Sequence, residues 1–259
     1  NESFANYSEY LWLEHEYGYD RAEEHRIKAV NAYKNGGNHH KNLVRFDYEN
    51  KEAVFDLVSY NKGGAVLHML KDYIGEKAFY EGVNLYLTEN QFGSAEVPQL
   101  RMTFEKVSGK DLNWFFDQWY YGSGHPEIRV SHDYNVLEKT VTVTLRQLGK
   151  EFYFPVMIDV YESGKKRQIE LFVDNVEKSV TFAYDKYPDW IHVDANHMLL
   201  AEFVENKTLA VYKFILTRAP HFEDRKMALQ ELSKHQMDKK IFGMVVDAFD
   251  DKNYQVQVL

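Results

Sequence analysis

The spacing of apolar and polar positions changes period twice along this chain and divides it into three stretches. Up to about residue 121 the apolar residues recur at helical spacing. Phe4, Ala5, Tyr7, Tyr10, Leu11, Trp12 and Leu13 make residues 1–17 apolar almost all round, which predicts a helix buried on most sides. Glu2, Asn6 and Glu9 fall at i, i+4 and i+7 and form its polar seam. A second, more polar helix is expected over 21–34, closed by the turn Asn35-Gly36-Gly37-Asn38. Residues 41–57 carry no period and read as an irregular loop. Val66, Met69, Leu70 and Tyr73 then stand at i, i+3, i+4 and i+7, the single stripe of a core helix, with Ser59 as its expected N-cap and Gly75 as its C-cap. Further helices are expected over 76–87, over 95–107 with Ser94 as cap, and over 111–121, where Leu112, Phe115, Phe116 and Trp119 repeat the same spacing. Gly122-Ser123-Gly124-His125-Pro126 breaks the pattern.

From 127 to about 203 the period is two. Val141, Val143 and Leu145 alternate with Thr140, Thr142 and Thr144, and Phe152, Phe154, Val156, Ile158 and Val160 alternate over nine residues. Short strands separated by turns such as Glu162-Ser163-Gly164-Lys165 predict a small antiparallel β-sandwich. Pro155, which has no N–H to donate, belongs on an edge or at a bulge. From Glu205 the helical period returns, with Leu209, Tyr212 and Leu216 before Pro220 and a stripe of Ile241, Met244, Val245, Ala248 and Phe249 beyond it. Short helices in succession read as the opening turns of an α-solenoid. The expectation is a multidomain α+β chain with domains at 1–124, 125–204 and 205–259.

Composition narrows the function without choosing it. The formal charge of −9 argues against nucleic acid, whose binding draws on clustered Lys and Arg. It suits ligands with a positive amino group. The absence of cysteine removes disulfides, thiolate metal sites and Cys nucleophiles. No run approaches the roughly 18 apolar residues of a membrane span.

The chemistry gathers in two segments, Asn1-Glu2-x-Phe4-Ala5 and Tyr60-x-Lys62-Gly63-x-Ala65, the second continued by Met69-Leu70, Gly75-Glu76 and Phe79. Ser108-Gly109-x-Asp111-Leu112, Trp119 and Gly124-x-Pro126 follow. In these residues and their order the chain resembles the aminopeptidase N family of gluzincin zinc peptidases. The resemblance implies the α-helical C-terminal half of a thermolysin-like catalytic domain, then a β-sandwich, then the start of an α-helical HEAT-like domain. It also implies one zinc ion, with Glu2 as a ligand, and Tyr60 as a catalytic residue. A catalytic zinc takes three protein ligands and keeps a position for water. A phenol is protonated at neutral pH and can donate to the oxyanion formed when water attacks a peptide carbonyl. For an arbitrary Glu on a helix a solvated face is the ordinary reading, and for an arbitrary Tyr it is packing. The family pattern singles out Glu2 and Tyr60. Lys62 reads as a side chain that snorkels to solvent, and Gly63 and Gly64 as room for a close helix approach.

One family element has no counterpart. The other two zinc ligands and the general base belong to an H-E-x-x-H helix ahead of the Asn-Glu-x-Phe-Ala segment, whereas here the one His-Glu pair, His15-Glu16, is followed by Tyr19 in place of the second His. The residues that hold the substrate's amino group in the family also lie in that direction. The expectation is therefore a fragment of an aminopeptidase that acts on peptide substrates and is inactive alone. The alternative is a non-catalytic interaction protein on the same scaffold.

Overall fold

The computed structural model describes residues 2–259. It is a mixed α+β structure with two small sheets. Helices α1 (Glu2–Tyr17) and α2 (Tyr19–Asn35) run back to back, and an irregular segment with one 3-10 turn (Lys51–Val54) leads to a π-helical turn, Val58–Lys62. The π turn passes straight into α3 (Gly63–Ile74), followed by α4 (Glu76–Glu89), α5 (Val97–Ser108) and α6 (Asn113–Trp119). Gly75 joins α3 to α4 at φ 88°, a backbone that only glycine adopts without strain.

Seven strands follow: β1 (Glu127–Asn135), β2 (Thr140–Gln147), β3 (Phe154–Glu162), β4 (Lys165–Val173), β5 (Glu177–Ala183), β6 (Trp190–Val193) and β7 (Glu202–Glu205). They form one sheet in the order β5-β2-β1-β7 and another in the order β4-β3-β6. The period-two residues face inward: Val141, Val143 and Leu145 from the first sheet, and Val156, Ile158 and Val160 from the second. Pro155 lies where β3 has no neighbour on one flank, since β6 pairs only with Ile158 to Tyr161. The expected all-antiparallel arrangement fails at one strand. β7 runs parallel to β1, Glu127 opposite Glu202, because it reaches the open edge of β1 only after the chain has traversed the second sheet.

One hydrophobic core runs from Tyr7 through α3, α5 and α6 into both sheets. A second lies among α7 (Leu209–Arg218), α8 (Phe222–Leu232), α9 (Lys239–Asp247) and α10 (Tyr254–Gln257), and Trp190 of β6 and Ile27 of α2 pack on it. Local details differ from the pattern-based expectation where side chains compete for backbone N–H groups. Helix α5 starts at Val97, capped by a reciprocal Glu96–Gln99 box, instead of at Ser94. Helix α1 is buried on one side only: Tyr7 and Tyr10 are covered while Trp12 is 60% exposed. Its partners, α2 and α3, lie against a single face, so the remaining aromatic residues stay at the surface.

Candidate active site

The first turn of α1 and the π turn form one structural unit. The Ser3 hydroxyl donates to the Ser59 carbonyl at 2.8 Å, so the residues just before Ser3 and just after Ser59, Glu2 and Tyr60, are carried by segments bonded to each other. Glu2 is half-buried, and so is Tyr60, whose ring lies 6.4 Å from that of Phe55. The approach is possible because residue 63 has no side chain. A Cβ there would lie 2.0 Å from Ser3 Oγ and 2.6 Å from Ser3 Cβ. Gly64 similarly faces Asn6 Oδ1 at 2.3 Å. Both glycines act as the close-approach positions that the sequence suggests.

The π turn is braced from the loop before it. Asp56 accepts from the N–H groups of Val58 and Ser59 at 3.1 and 3.0 Å, and Arg45 grips its two oxygens at 2.6 and 3.0 Å while Lys41 reaches it at 3.2 Å. Asp56, and not Ser59, therefore caps this helix start. The Ser59 hydroxyl instead donates to the Val54 carbonyl and accepts from Arg45. Burial opposes the charge on Asp56, but the Arg45 bonds, the Ser59 N–H and Lys41 outweigh it and hold its pKa down to about 2.

A carboxyl depressed in the folded state contributes stability that is complete above its unfolded value and lost as pH falls through the folded one. Between about pH 4 and 2 the brace is therefore expected to release. Thermal unfolding followed over that range should show a steeper loss for the native chain than for Asp56→Asn; equal slopes would remove Asp56 from the account.

Lys62 corrects the expectation that it reaches solvent. Its side chain is 0% exposed, and Nζ donates to the Gly122 carbonyl at 3.0 Å. Burial, with the Lys150 charge second, pushes its pKa down to about 8. It anchors the segment after α6 under the site. Neither this anchor nor the Arg45–Asp56 brace has a signature in the sequence, because their partners come from segments without periodicity.

As a share of a zinc centre, the first turn of α1 fits one ligand: a half-buried carboxylate beside the π turn. Among the described residues the group with metal-ligand geometry lies elsewhere, at His192, His197 and Asp224. Pattern reading missed it because its members come from β6, the following loop and α8.

Residues 1–119 match the model of the peptidase family M1 domain. Over 280 aligned positions, covering 94% of this chain and 36% of the relative, the chain is 25% identical to probable aminopeptidase 1 of Saccharolobus solfataricus. Over 94 residues, 36% of this chain and 12% of the relative, it is 35% identical to tricorn protease-interacting factor F2 of Thermoplasma volcanium. The chain thus spans about a third or less of the length of these relatives. In fold it is similar to aminopeptidase A of Legionella pneumophila, solved with aspartic acid, at a TM-score of 0.78 and 17% identity over 97% of this chain and 30% of that one. The likeness to peptidase family M1 is therefore carried by residues 1–119.

Proposed function

We propose that these residues are the C-terminal portion of a zinc aminopeptidase, contributing Glu2 as a metal ligand and Tyr60 as the donor to the oxyanion. The observation that carries this reading is the Ser3–Ser59 bond, which joins the two family segments at one place. When bound, zinc supplies a Lewis acid that lowers the pKa of a water to about 7. The chain's own part is positional. Glu2 would hold the metal from the first turn of α1, and Tyr60 would donate its phenolic hydrogen to the carbonyl oxygen of the amino-terminal peptide bond as negative charge develops there. The Asp56 cap and the close contact at Gly63 fix the two groups relative to each other, which limits reorganisation during the reaction. On this reading residues 1–124 are the helical half of a thermolysin-like catalytic domain, 125–204 a β-sandwich and 205–259 the start of a HEAT-like domain. Peptides with a free amino terminus are the substrates.

The test compares the 259-residue chain with the longer protein in which we infer that it resides, by zinc content and by hydrolysis of an aminoacyl-anilide. The longer form should hold about one zinc per chain more than the 259-residue chain does, and turn over substrate. Its Glu2→Gln variant should lose most of that additional zinc and most of the turnover. A longer form that holds no more zinc than the 259-residue chain and is inert would overturn the proposal in favour of a non-catalytic scaffold.

A further inference from the structure

Strand β6 and helix α8 meet at a cluster of imidazoles around one carboxylate. Asp224, in the first turn of α8 and buried, faces two of them with different oxygens: His197 Nε2 lies 3.0 Å from Oδ2 and His192 Nε2 lies 3.4 Å from Oδ1. One ligand atom from each of the three residues lies within 4.8 Å of the others. Bonds of about 2.0 to 2.2 Å in a tetrahedral site put neighbouring ligand atoms roughly 3.3 to 3.6 Å apart. The Asp224 contacts of 3.0 and 3.4 Å, one from each oxygen, already lie near that range, and a spread of up to 4.8 Å needs only a small contraction around an ion.

The loop is shaped to present His197. Its backbone is left-handed at φ 53°, as is that of Asp194 at 58°, a region that non-glycine residues seldom occupy. The His197 N–H bonds to the Asp194 carbonyl at 2.8 Å, and the Asp194 carboxylate accepts from the N–H groups of Met198 and Leu199. Trp190 stacks on His192 with ring centroids 4.1 Å apart and holds that ring from its other side. A cavity of about 210 Å³, lined by His192, His197, Asp224, Glu205 and Tyr212, opens onto the cluster and leaves space for a further ligand. His221, although stacked on His197 at 4.0 Å, is committed elsewhere. Its Nδ1 accepts from the Glu223 N–H at 3.3 Å, and its Nε2 faces Glu23 at 3.4 Å.

We infer that His192, His197 and Asp224 bind a borderline divalent cation of the zinc class, fastening β6 and its loop to α8. Two imidazoles with one carboxylate favour such an ion over Mg²⁺ or Ca²⁺, which prefer all-oxygen sites. The site is independent of the proposed peptidase centre, because none of its ligands comes from the segments carrying Glu2 and Tyr60. It can be tested in this chain alone.

The experiment titrates the chelator-treated 259-residue protein with Co²⁺, reading the visible bands of a tetrahedral ion, and with Zn²⁺ by calorimetry. Binding of about one ion per chain is expected, with no comparable response to Mg²⁺. His197→Gln and Asp224→Asn should each weaken binding at least 10-fold with circular dichroism unchanged, whereas His15→Gln, at an exposed position on α1, should leave it intact. A readout without substitution accompanies them: Zn²⁺ should protect His192 and His197, more than His15, from acylation by diethyl pyrocarbonate, followed by peptide mass spectrometry. Absence of binding, or binding without this protection, means that the cluster is a hydrogen-bonded clamp and not a metal site. Loss of this site would leave the aminopeptidase proposal untouched, since that is read from the zinc the longer protein holds beyond this chain and from its turnover.

Discussion

Tyr60→Phe in the longer protein, as the proposed peptidase, is expected to lower kcat by about 10²- to 10³-fold while the zinc content stays that of the unsubstituted protein. The magnitude is that of losing one preorganised donor to an oxyanion, roughly 2.7 to 4 kcal/mol. The change should fall on kcat more than on KM, because the hydrogen bond strengthens only as negative charge develops on the carbonyl oxygen. The substitution removes one oxygen from a half-buried ring that already packs near Phe55, so the π turn should keep its shape. Steady-state kinetics together with metal analysis separate the outcomes. Unchanged turnover would show that Tyr60 only packs, and a matching loss of zinc would show that the substitution had disturbed the ligand segment instead.

The second large effect is expected from a single methyl group at Gly63. Alanine there would bring a Cβ to 2.6 Å from the Cβ of Ser3, an atom fixed to the α1 backbone, and to 3.3 Å from Leu43 Cδ2. Rotation of the Ser3 hydroxyl cannot relieve that clash, so α1 and the π turn must move apart. Overpacking of this kind costs about 1 to 3 kcal/mol, which for a chain of this length lowers Tm by several degrees. If the longer protein is the proposed peptidase, a displacement of about 1 Å between Glu2 and Tyr60 is enough to reduce turnover by roughly 10²-fold. Gly64→Ala offers the internal comparison. Its new Cβ would meet mainly the Asn6 amide, which can swing away, and Asn6 Cβ stays 3.7 Å distant. The loss should therefore be larger for Gly63→Ala than for Gly64→Ala, and Ser3→Gly should restore part of what Gly63→Ala loses. Equal Tm values for the two variants would mean that the contact with Ser3 does not set the position of α1.

The chain's own pattern determined its elements. Helical spacing places α2 to α4 and α6 within a few residues of where they lie, the period-two run over 140–160 predicts β2 and β3, and Gly75 marks the junction of α3 and α4. Those features are local: they follow from which side of a helix or strand must leave water, and periodicity records that directly. The two family segments could also be recognised as they stand, since Glu2 and Tyr60 sit in motifs of adjacent residues. What only the tertiary structure decided depends on partners distant along the chain. The Asp56 cap and its Arg45 clamp displaced Ser59 from its expected role, and the Gly122 carbonyl drew Lys62 inward. β7 joined its sheet in parallel, and histidines from β6 and from the loop after it met an aspartate from α8. Each of these is a polar group or a strand edge seeking satisfaction. Burial makes an unpaired polar group costly wherever its partner lies in sequence, so these contacts are fixed by the packed fold and leave no period to read.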